Sequence, residues 1–392
     1  MTPTLRVSTR KGLFTIKKTR AATEPGGWSI AQTDFLGDNV TLSFFDASSG
    51  TLYAALAHGH FGVKLHRLTI GKDADVQTED GSDAGERNWQ EIAVPQYPKR
   101  PEGIEPPVDE MGQVVPDSLK LIWALEAGGA NEAQQNGRLW CGTIPGGLFR
   151  SDDRGDSWQM IESLWNHPDR IKWFGGGTDH PGIHSVCVDP RDPSRVAVAV
   201  SCGGVWVSED DGASWNSRAD GMWAAYMPPD LKYDQAIQDP HFMVQCRDQP
   251  DIYWAQHHNG VFRSIDGCAS WQEVKDIQPS SFGFAVAVHP QDGNTAWLIP
   301  GINDEIRIPV EGKLVVTRTR DGGKTFDVLS NGLPQSHAYD IVFRHALDID
   351  TGGNTLAFGT TTGSVFISED QGDTWHNVTQ HLPPVYALRF DQ

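Results

Sequence analysis

The stretch GGVWVSEDDGASW, residues 203–215, decides the fold of this 392-residue chain. It contains a glycine pair, an apolar strand and then the pattern Ser/Thr-x-Asp-x-Gly-x-x-aromatic, in which Asp210 is the template aspartate. Serine hydroxyls and aspartate carboxylates accept hydrogen bonds from nearby main-chain amides, and glycine adopts a positive φ without steric cost. The pattern therefore predicts a tight turn between two strands, followed by an aromatic side chain that packs between layers.

Five copies of this template follow one another along the chain. Their template aspartates lie 49 to 57 residues apart and are Asp153, Asp210, Asp266, Asp321 and Asp370. A repeat of this length, built from short apolar strands bounded by Gly, Pro or Asp, is typical of the blades of a β-propeller. In the third copy Cys268 stands at the usual glycine position, which predicts a distorted turn.

Two weaker copies precede the five, in residues 7–32 and 51–94. Both keep the apolar strand after a glycine and a closing tryptophan (Trp28 and Trp89), but neither has the Ser-x-Asp turn. Five copies plus two predict an all-β, seven-bladed propeller. The first of these copies lacks an inner strand at the N-terminus.

The C-terminal segment 384–390, PVYALRF, has the character of an inner strand without a blade of its own. We expect it to complete blade one and to close the ring, because closure removes exposed strand edges. The whole chain, residues 1–392, is then a single propeller domain. Three long insertions, at about 94–119, 163–181 and 222–240, are predicted to be loops of functional importance.

Charge and cysteine content limit the classes of partner. The formal net charge is −19, and such an acidic surface repels nucleic acids and anionic membranes. The five cysteines form an odd set without a CxxC spacing, which favours reduced thiols. The N-terminal segment has no apolar region typical of a secretory signal. These features predict a cytoplasmic protein that acts on a small molecule, and they leave its oligomeric state open.

The repeated Ser-x-Asp-x-Gly-x-x-Trp turns resemble the Asp-box, or BNR, repeats of sialidases, family 74 xyloglucanases and sortilin-like receptors. The chain is also similar to bacterial propellers described as BNR-, WD40- or YVTN-like. This resemblance implies a propeller whose Asp-box turns lie away from the active site. Sialidases also carry a Phe-Arg-Ile-Pro motif, which is missing from this sequence. The resemblance therefore implies the fold and leaves the chemistry open.

Histidines are concentrated where a propeller brings its blades together. Loops that follow the second strand of each blade converge with the starts of the inner strands on one face, and eight of the 14 histidines fall there. Neutral imidazoles from several blades can bind Zn, Mn or Fe and leave open positions for substrate. The candidate metal ligands are His60, His184, His241, Gln245, His258 and His345. Any one of these histidines could instead be a hydrogen-bonded structural residue.

Other residues at the same predicted face suggest catalytic and binding roles. Glu126 lies in the apolar strand LIWALEAGG, where a carboxylate needs a partner or a function. Arginine can bind an anionic substrate through two parallel hydrogen bonds. The candidate catalytic residues are Glu126, Arg307, Tyr339 and Arg344. The candidate substrate-binding residues are Arg10, Lys11, His58, His180 and His257.

These residues predict a metal-dependent hydrolase or lyase that acts on a small polar, carboxylated or sugar-like substrate. Two alternatives remain open from the sequence. One is a non-catalytic propeller that binds a protein or peptide. The other is a glycoside hydrolase that pairs Glu126 with Asp304 or Glu305, which requires carboxylates about 5–9.5 Å apart.

Overall fold

The computed structural model describes residues 3–18, 27–70, 87–99, 105–106, 108, 112, 114, 118–128 and 137–391. Within these residues, 28 strands form seven four-stranded antiparallel sheets. The strands are β1 (Thr4–Thr9), β2 (Gly12–Lys18), β3 (Trp28–Asp34), β4 (Val40–Asp46), β5 (Thr51–Ala57), β6 (Val63–Thr69), β7 (Gln90–Ile92), β8 (Leu121–Ala127), β9 (Leu139–Ile144), β10 (Leu148–Ser151), β11 (Gln159–Met160), β12 (Ile183–Val188), β13 (Val196–Val200), β14 (Gly204–Ser208), β15 (Asn216–Ser217), β16 (Pro240–Gln245), β17 (Tyr253–His257), β18 (Gly260–Ser264), β19 (Gln272–Val274), β20 (Gly283–Val288), β21 (Ala296–Pro300), β22 (Val316–Thr319), β23 (Asp327–Leu329), β24 (Leu347–Ile349), β25 (Leu356–Gly359), β26 (Val365–Ser368), β27 (His376–Thr379) and β28 (Val385–Phe390).

In the described part of the chain, helical structure is limited to short pieces between the strands. They are α1 (Glu162–Trp165) and the 3₁₀ segments Gly59–Phe61, Pro168–Lys172, Gln235–Ile237 and Val310–Gly312. Among the described residues, none of the helices has the length and apolar character needed to cross a bilayer.

The predicted seven-bladed ring is confirmed. The inner strands of blades one to seven are β28, β4, β8, β12, β16, β20 and β24, and each contacts the inner strand of the next blade. The C-terminal strand β28 pairs with β1, so that Leu5 lies opposite Phe390 and Val7 lies opposite Leu388. The last strand of the chain therefore completes the first blade, and the contact between β24 and β28 closes the ring.

The blades pack on both of their faces, and the strand sequences reflect this. In β13, which reads VAVAV, all five side chains are buried. Val196, Val198 and Val200 pack into a cluster with residues of blade three, whereas Ala197 and Ala199 face blade five. Successive side chains of a strand point to opposite faces, so one strand contributes large residues to one interface and small residues to the other.

The five template turns share one hydrogen-bond pattern. In blade four, Asp210 accepts hydrogen bonds from the Ser214 amide at 2.8 Å and the Ser214 hydroxyl at 2.6 Å, while the Ser208 hydroxyl accepts from the Gly212 amide at 2.8 Å. The aromatic residue after the turn reaches the preceding blade, since the indole N–H of Trp271 donates to the Arg218 carbonyl at 2.8 Å. The predicted role of these turns as connections between strands and blades is confirmed.

The predicted distortion of the third turn is wrong. The Cys268 amide donates to the Ser264 hydroxyl at 3.0 Å, and the Ser270 amide donates to Asp266 at 2.9 Å, as in the other copies. Cys268 adopts a φ of 69°, in the region that the glycines of the other turns occupy. The surrounding hydrogen bonds thus hold a non-glycine residue in a conformation that carries a modest steric cost.

Replacing Asp210 with alanine is expected to lower the free energy of unfolding by about 1 kcal/mol. The substitution removes an acceptor of three hydrogen bonds. The turn is exposed, so water replaces most of these contacts, and the net loss is about that of one intramolecular bond, roughly 0.5–1.5 kcal/mol. Urea denaturation followed by circular dichroism measures the change. Asp230→Ala, at an exposed loop position, is the matched control and should leave the midpoint unchanged. An equal loss in both variants would contradict the role of the turn.

Two of the long insertions cover one mouth of the ring. We call the face where the inner strands begin the upper face; the template turns follow the third strands and lie on the opposite, lower face. Within insertions 163–181 and 222–240, Lys172 forms an ion pair with Asp234 at 3.0 Å, and Trp173 is buried against Trp206. Half of the first insertion, 94–119, lies outside the described residues.

Candidate functional site

A cavity of about 320 Å³ opens at the upper face between blades four, five, six and seven. We call it the upper pocket. Its polar lining comes from hairpins and strand entrances, and its remaining walls come from the insertions and from aromatic side chains. The lining residues are Phe174, Gly176, Gly177, Cys202, Tyr226, Asp239, His241, His258, Phe284, Asp304, Arg307, Ile341, Phe343 and Arg344.

Three side chains of blade five meet in the upper pocket. Asp239 precedes β16, His241 is the second residue of that strand, and His258 lies in the hairpin between β17 and β18. One potential ligand atom from each residue lies within 4.8 Å of the other two. The Oδ2 atom of Asp239 is 3.5 Å from Nε2 of His241 and 3.6 Å from Nδ1 of His258. Asp239 and His241 are almost fully buried, and His258 is partly exposed.

These separations suit a shared metal ion better than direct hydrogen bonds. Donor and acceptor atoms of a normal N–H···O bond are 2.7–3.2 Å apart. Two ligand atoms that each lie about 2.1 Å from a tetrahedral metal are roughly 3.4 Å apart. One carboxylate and two imidazoles also form a known ligand set for catalytic zinc and non-haem iron. The geometry and the donor set both fit a divalent transition metal.

The outer atoms of all three side chains are held by neighbouring groups. His241 donates from Nδ1 to the Gly283 carbonyl, the two atoms being 2.7 Å apart, which leaves Nε2 as the lone-pair nitrogen facing Asp239. The Cys202 amide donates to Oδ1 of Asp239 at 3.0 Å. Nε2 of His258 faces Oδ2 of Asp304 at 3.5 Å. Partners of this kind orient metal ligands and set the histidine tautomer.

The electrostatic environment keeps Asp239 and His241 in the protonation states that metal binding needs. Burial disfavours the ionised form of Asp239, but the neighbouring imidazoles of His241 and His258 and the charge of Arg344 outweigh it and hold the pKa of this carboxyl well below its usual range. Burial lowers the pKa of His241 and keeps the imidazole neutral at pH 7. Burial also raises the pKa of the Cys202 thiol well above its usual value, so this cysteine is not a thiolate nucleophile.

Two arginines lie on the other side of the pocket. The guanidinium carbon of Arg344 lies 5.0 Å from the ring centroid of Trp123 and 5.3 Å from that of Phe284. Arg307, from the connection between β21 and β22, lies 5.4 Å from the Phe284 centroid. Its Nε donates to the Asp304 carbonyl at 2.9 Å. The structure thus brings four predicted site residues together here: His241, His258, Arg307 and Arg344.

Four other candidates line a second cavity, of about 260 Å³, inside the channel between the inner strands. His184 has a ring nitrogen 2.9 Å from the Ser185 hydroxyl and another 2.7 Å from the Pro240 carbonyl, while His345 bonds the His184 carbonyl at 2.8 Å. Gln245 donates to the Pro250 carbonyl at 2.8 Å. These side chains are engaged with other groups, and the structure does not gather them around a common ligand position.

Glu126 has the partner that a carboxylate in an apolar strand requires. It forms an ion pair and a hydrogen bond with Arg389 of β28. Burial raises the pKa of Glu126. Glu126 lines the channel cavity and Asp304 lines the upper pocket, so the structure does not place these two carboxylates around one substrate position.

The remaining candidates lie on the upper face but do not line the upper pocket. Arg10 and Lys11 are exposed in the hairpin between β1 and β2, and Tyr339 is 61% exposed before β24. His58 lines a separate cavity on blade two.

The last three candidates are histidines that also lie apart from the pocket lining. His60 lies in the exposed 3₁₀ segment Gly59–Phe61, and His180 precedes β12. Each ring nitrogen of His257 is 3.1 Å from a main-chain amide, of Asp239 or Asn259, so the ring supports the hairpin rather than a ligand.

Sequence reasoning missed Asp239, although a signal was present. His184 and His241 occupy the same position in the inner strands of neighbouring blades, and each bonds the first carbonyl of the next inner strand. The residue two positions earlier is Gly182 in blade four and Asp239 in blade five. Alternate residues of an extended strand share a face. A carboxylate two residues before a histidine at a strand entrance therefore marks the site.

Comparisons with known proteins identify the fold but no family. No family model and no curated protein sequence matches the chain. Among solved structures, the periplasmic gluconolactonase of Pseudomonas aeruginosa is 12% identical, with a TM-score of 0.54, and the match covers 100% of this chain and 99% of that one. The resemblance to Asp-box families therefore stays an expectation from the repeats.

Two further solved structures match less closely in shape. An ancestral GH74 enzyme is 14% identical, with a TM-score of 0.49, and the match covers 94% of this chain. This chain spans only about two fifths of that enzyme, as 39% of it is covered. YCF48 bound to D1 peptide is 12% identical, with a TM-score of 0.49 and coverage of 89% and 85%. Identities this low show the propeller fold alone.

Proposed function

We propose that the upper pocket is the active site of a metal-dependent hydrolase or lyase that acts on a small polar substrate. The observation that carries this proposal is the meeting of Asp239, His241 and His258, whose ligand atoms lie within 4.8 Å of one another. Three protein ligands leave positions open for water or substrate, as catalytic metal sites require. The pocket volume of about 320 Å³ is at the lower end of the range for small-molecule sites.

The chain's own residues support such chemistry in separate ways. A divalent metal bound at this cluster would polarise a substrate carbonyl or increase the acidity of a water molecule. Asp304 holds the orientation of His258 from the solvent side. The rings of Tyr226 and Phe284 pack against the cluster: Tyr226 lies edge-on against His258, and Phe284 stacks on His241 with centroids 4.7 Å apart.

Metal binding by defined variants tests the proposal. Purified protein, stripped with chelator and dialysed against Zn²⁺, Mn²⁺ or Fe²⁺, is expected to retain one of these ions per chain, as measured by elemental analysis. His258→Gln and Asp239→Asn each remove one ligand and are expected to weaken binding by at least about 100-fold. His60→Gln is the matched control, because His60 is exposed on the same face outside the pocket.

Two results would refute the metal site. One is a wild-type protein that binds none of the three ions in titration calorimetry. The other is unchanged affinity in His258→Gln, a partly exposed position where misfolding is a minor concern. Thermal unfolding of each variant separates a lost ligand from a lost fold.

A non-catalytic propeller is the second candidate, and exposed aromatic residues of the upper-face loops favour it. Phe61, Tyr233 and Tyr339 are 84%, 65% and 61% exposed. Large exposed aromatic side chains are common anchors in protein interfaces. A protein that binds no metal and loses a partner upon mutation of these three residues would fit this candidate.

A further inference from the structure

Arg344 is a cation without an acceptor. Among the described residues it makes no hydrogen bond and no ion pair, and its Nε is buried without a partner. Burial lowers the pKa of Arg344, because desolvation disfavours the charged form, and the charge of Asp239 across the pocket offsets only part of this shift. Arginine side chains in such surroundings are normally paired, because an unpaired buried charge is costly.

A second guanidinium faces the same position. Arg307 and Arg344 both lie beside the ring of Phe284, with centroid distances of 5.4 and 5.3 Å. Their mutual repulsion contributes to the lowered pKa of Arg344. The terminal nitrogens of Arg307 donate no hydrogen bond to the described part of the chain. Two like charges at one pocket wall, with N–H groups unused, form a binding site for an anion.

The pocket also restricts which anion fits. The Arg344 guanidinium lies near the rings of Trp123 and Phe284, and its terminal nitrogens donate no hydrogen bond within the described part of the chain. Its planar N–H fork is therefore free to bind a planar two-oxygen group. The carboxylates of Asp239 and Asp304 line the same pocket and repel an incoming anion in proportion to its charge. This favours a singly charged carboxylate over a doubly charged phosphate.

We propose that Arg344, assisted by Arg307, binds the carboxylate of a small hydroxy- or oxo-acid whose other oxygens face Asp239, His241 and His258. The assignment of a substrate class rests on the proposed function, because a metal at the Asp239 cluster would be needed for the bound acid to react. The anion contact itself depends only on the two arginines, so it can be measured in metal-free protein.

Glycolate, its neutral methyl ester and inorganic phosphate are the probes. Binding to metal-free protein is followed by chemical-shift titration. Glycolate is expected to bind, and its methyl ester is expected to bind at least about tenfold more weakly. Arg344→Gln is expected to reduce the affinity for glycolate at least about tenfold, because it removes one charge-assisted bidentate contact. Arg344→Lys keeps the charge but not the planar fork, so its affinity for glycolate should lie between those of the wild type and Arg344→Gln.

The outcomes separate this inference from the proposed function. Glycolate affinity that depends on Arg344 in a protein that binds no metal supports the carboxylate site and overturns the metal site. Unchanged affinity in both Arg344→Gln and the exposed Arg307→Gln overturns the carboxylate site, whatever the metal content. Phosphate binding tighter than glycolate overturns the assignment to a carboxylate. Arg10→Gln, at an exposed hairpin outside the pocket, is the control and should bind glycolate normally.

Discussion

Removal of residues 383–392 is expected to abolish soluble, cooperatively folded protein. The deletion takes away β28, the inner strand of blade one, including the buried side chains Val385, Leu388 and Phe390. Burial of three such side chains stabilises the fold by about 5–9 kcal/mol, comparable with the whole stability of a typical domain. The deletion also opens the ring and exposes the main-chain edge of β1, a site for aggregation.

The soluble fraction on expression and the thermal transition followed by circular dichroism measure this effect. A shorter deletion, of Asp391 and Gln392 alone, is the control. It keeps β28 but removes the carboxylate that Arg6 contacts at 2.5 and 2.9 Å, so we expect a folded protein of modestly lower stability. A synthetic peptide of residues 383–392 should restore part of the transition. A ten-residue truncation that is soluble and unfolds cooperatively would contradict ring closure.

The blades could be predicted from the sequence because each template turn is local. The hydrogen bonds of Asp210 and Ser208 connect residues no more than four positions apart, so the pattern that makes the turn is visible in a short window. Closure by residues 384–390 could be predicted for a related reason, since one blade lacked an inner strand and one strand lacked a blade. Even Cys268 shows that the pattern tolerates one departure when the other hydrogen bonds remain.

The site could be predicted only in part because it depends on contacts between blades. His184 and His241 are equivalent in the repeat, yet one ring nitrogen of His184 lies beside Ser185, whereas Nε2 of His241 faces Asp239. The same holds for Glu126, whose partner Arg389 is 263 residues away in the chain. A pattern of residue types places side chains on a face of the ring, but the partner of each one is set by packing.

Arg389→Met is expected to destabilise the protein by about 2–3 kcal/mol at pH 8. Arg389 forms an ion pair with Glu126 and donates to the Leu125 carbonyl at 3.2 Å, so methionine leaves a channel carboxylate without a cation. Breaking a fully buried pair costs about 3–5 kcal/mol. We expect less here, because Arg389 and Glu126 expose 32% and 25% of their side chains, surface that lines the channel cavity.

The stability lost in Arg389→Met should increase with pH. Burial raises the pKa of Glu126, and burial raises that of the neighbouring Asp348 to about 6. A carboxyl whose pKa is raised in the folded state holds its proton more tightly there than in the unfolded chain. Its contribution to stability is therefore present at low pH and is lost as the pH rises, for Asp348 between about 4 and 6. Without Arg389 both pKa values rise further, which moves this loss toward neutral pH.

Urea denaturation at pH 5 and pH 8 tests both statements. The difference in the free energy of unfolding between wild type and Arg389→Met should be larger at pH 8. Adding Glu126→Gln to Arg389→Met should recover part of the lost stability, because a neutral amide needs no cation. Arg320→Met, at an exposed position, controls for the loss of a surface charge. Two results together would contradict a stabilising role of the ion pair: a double variant as unstable as Arg389→Met, and the same stability difference between wild type and Arg389→Met at both pH values. The packing of β28 would then account for its stabilising effect without the ion pair.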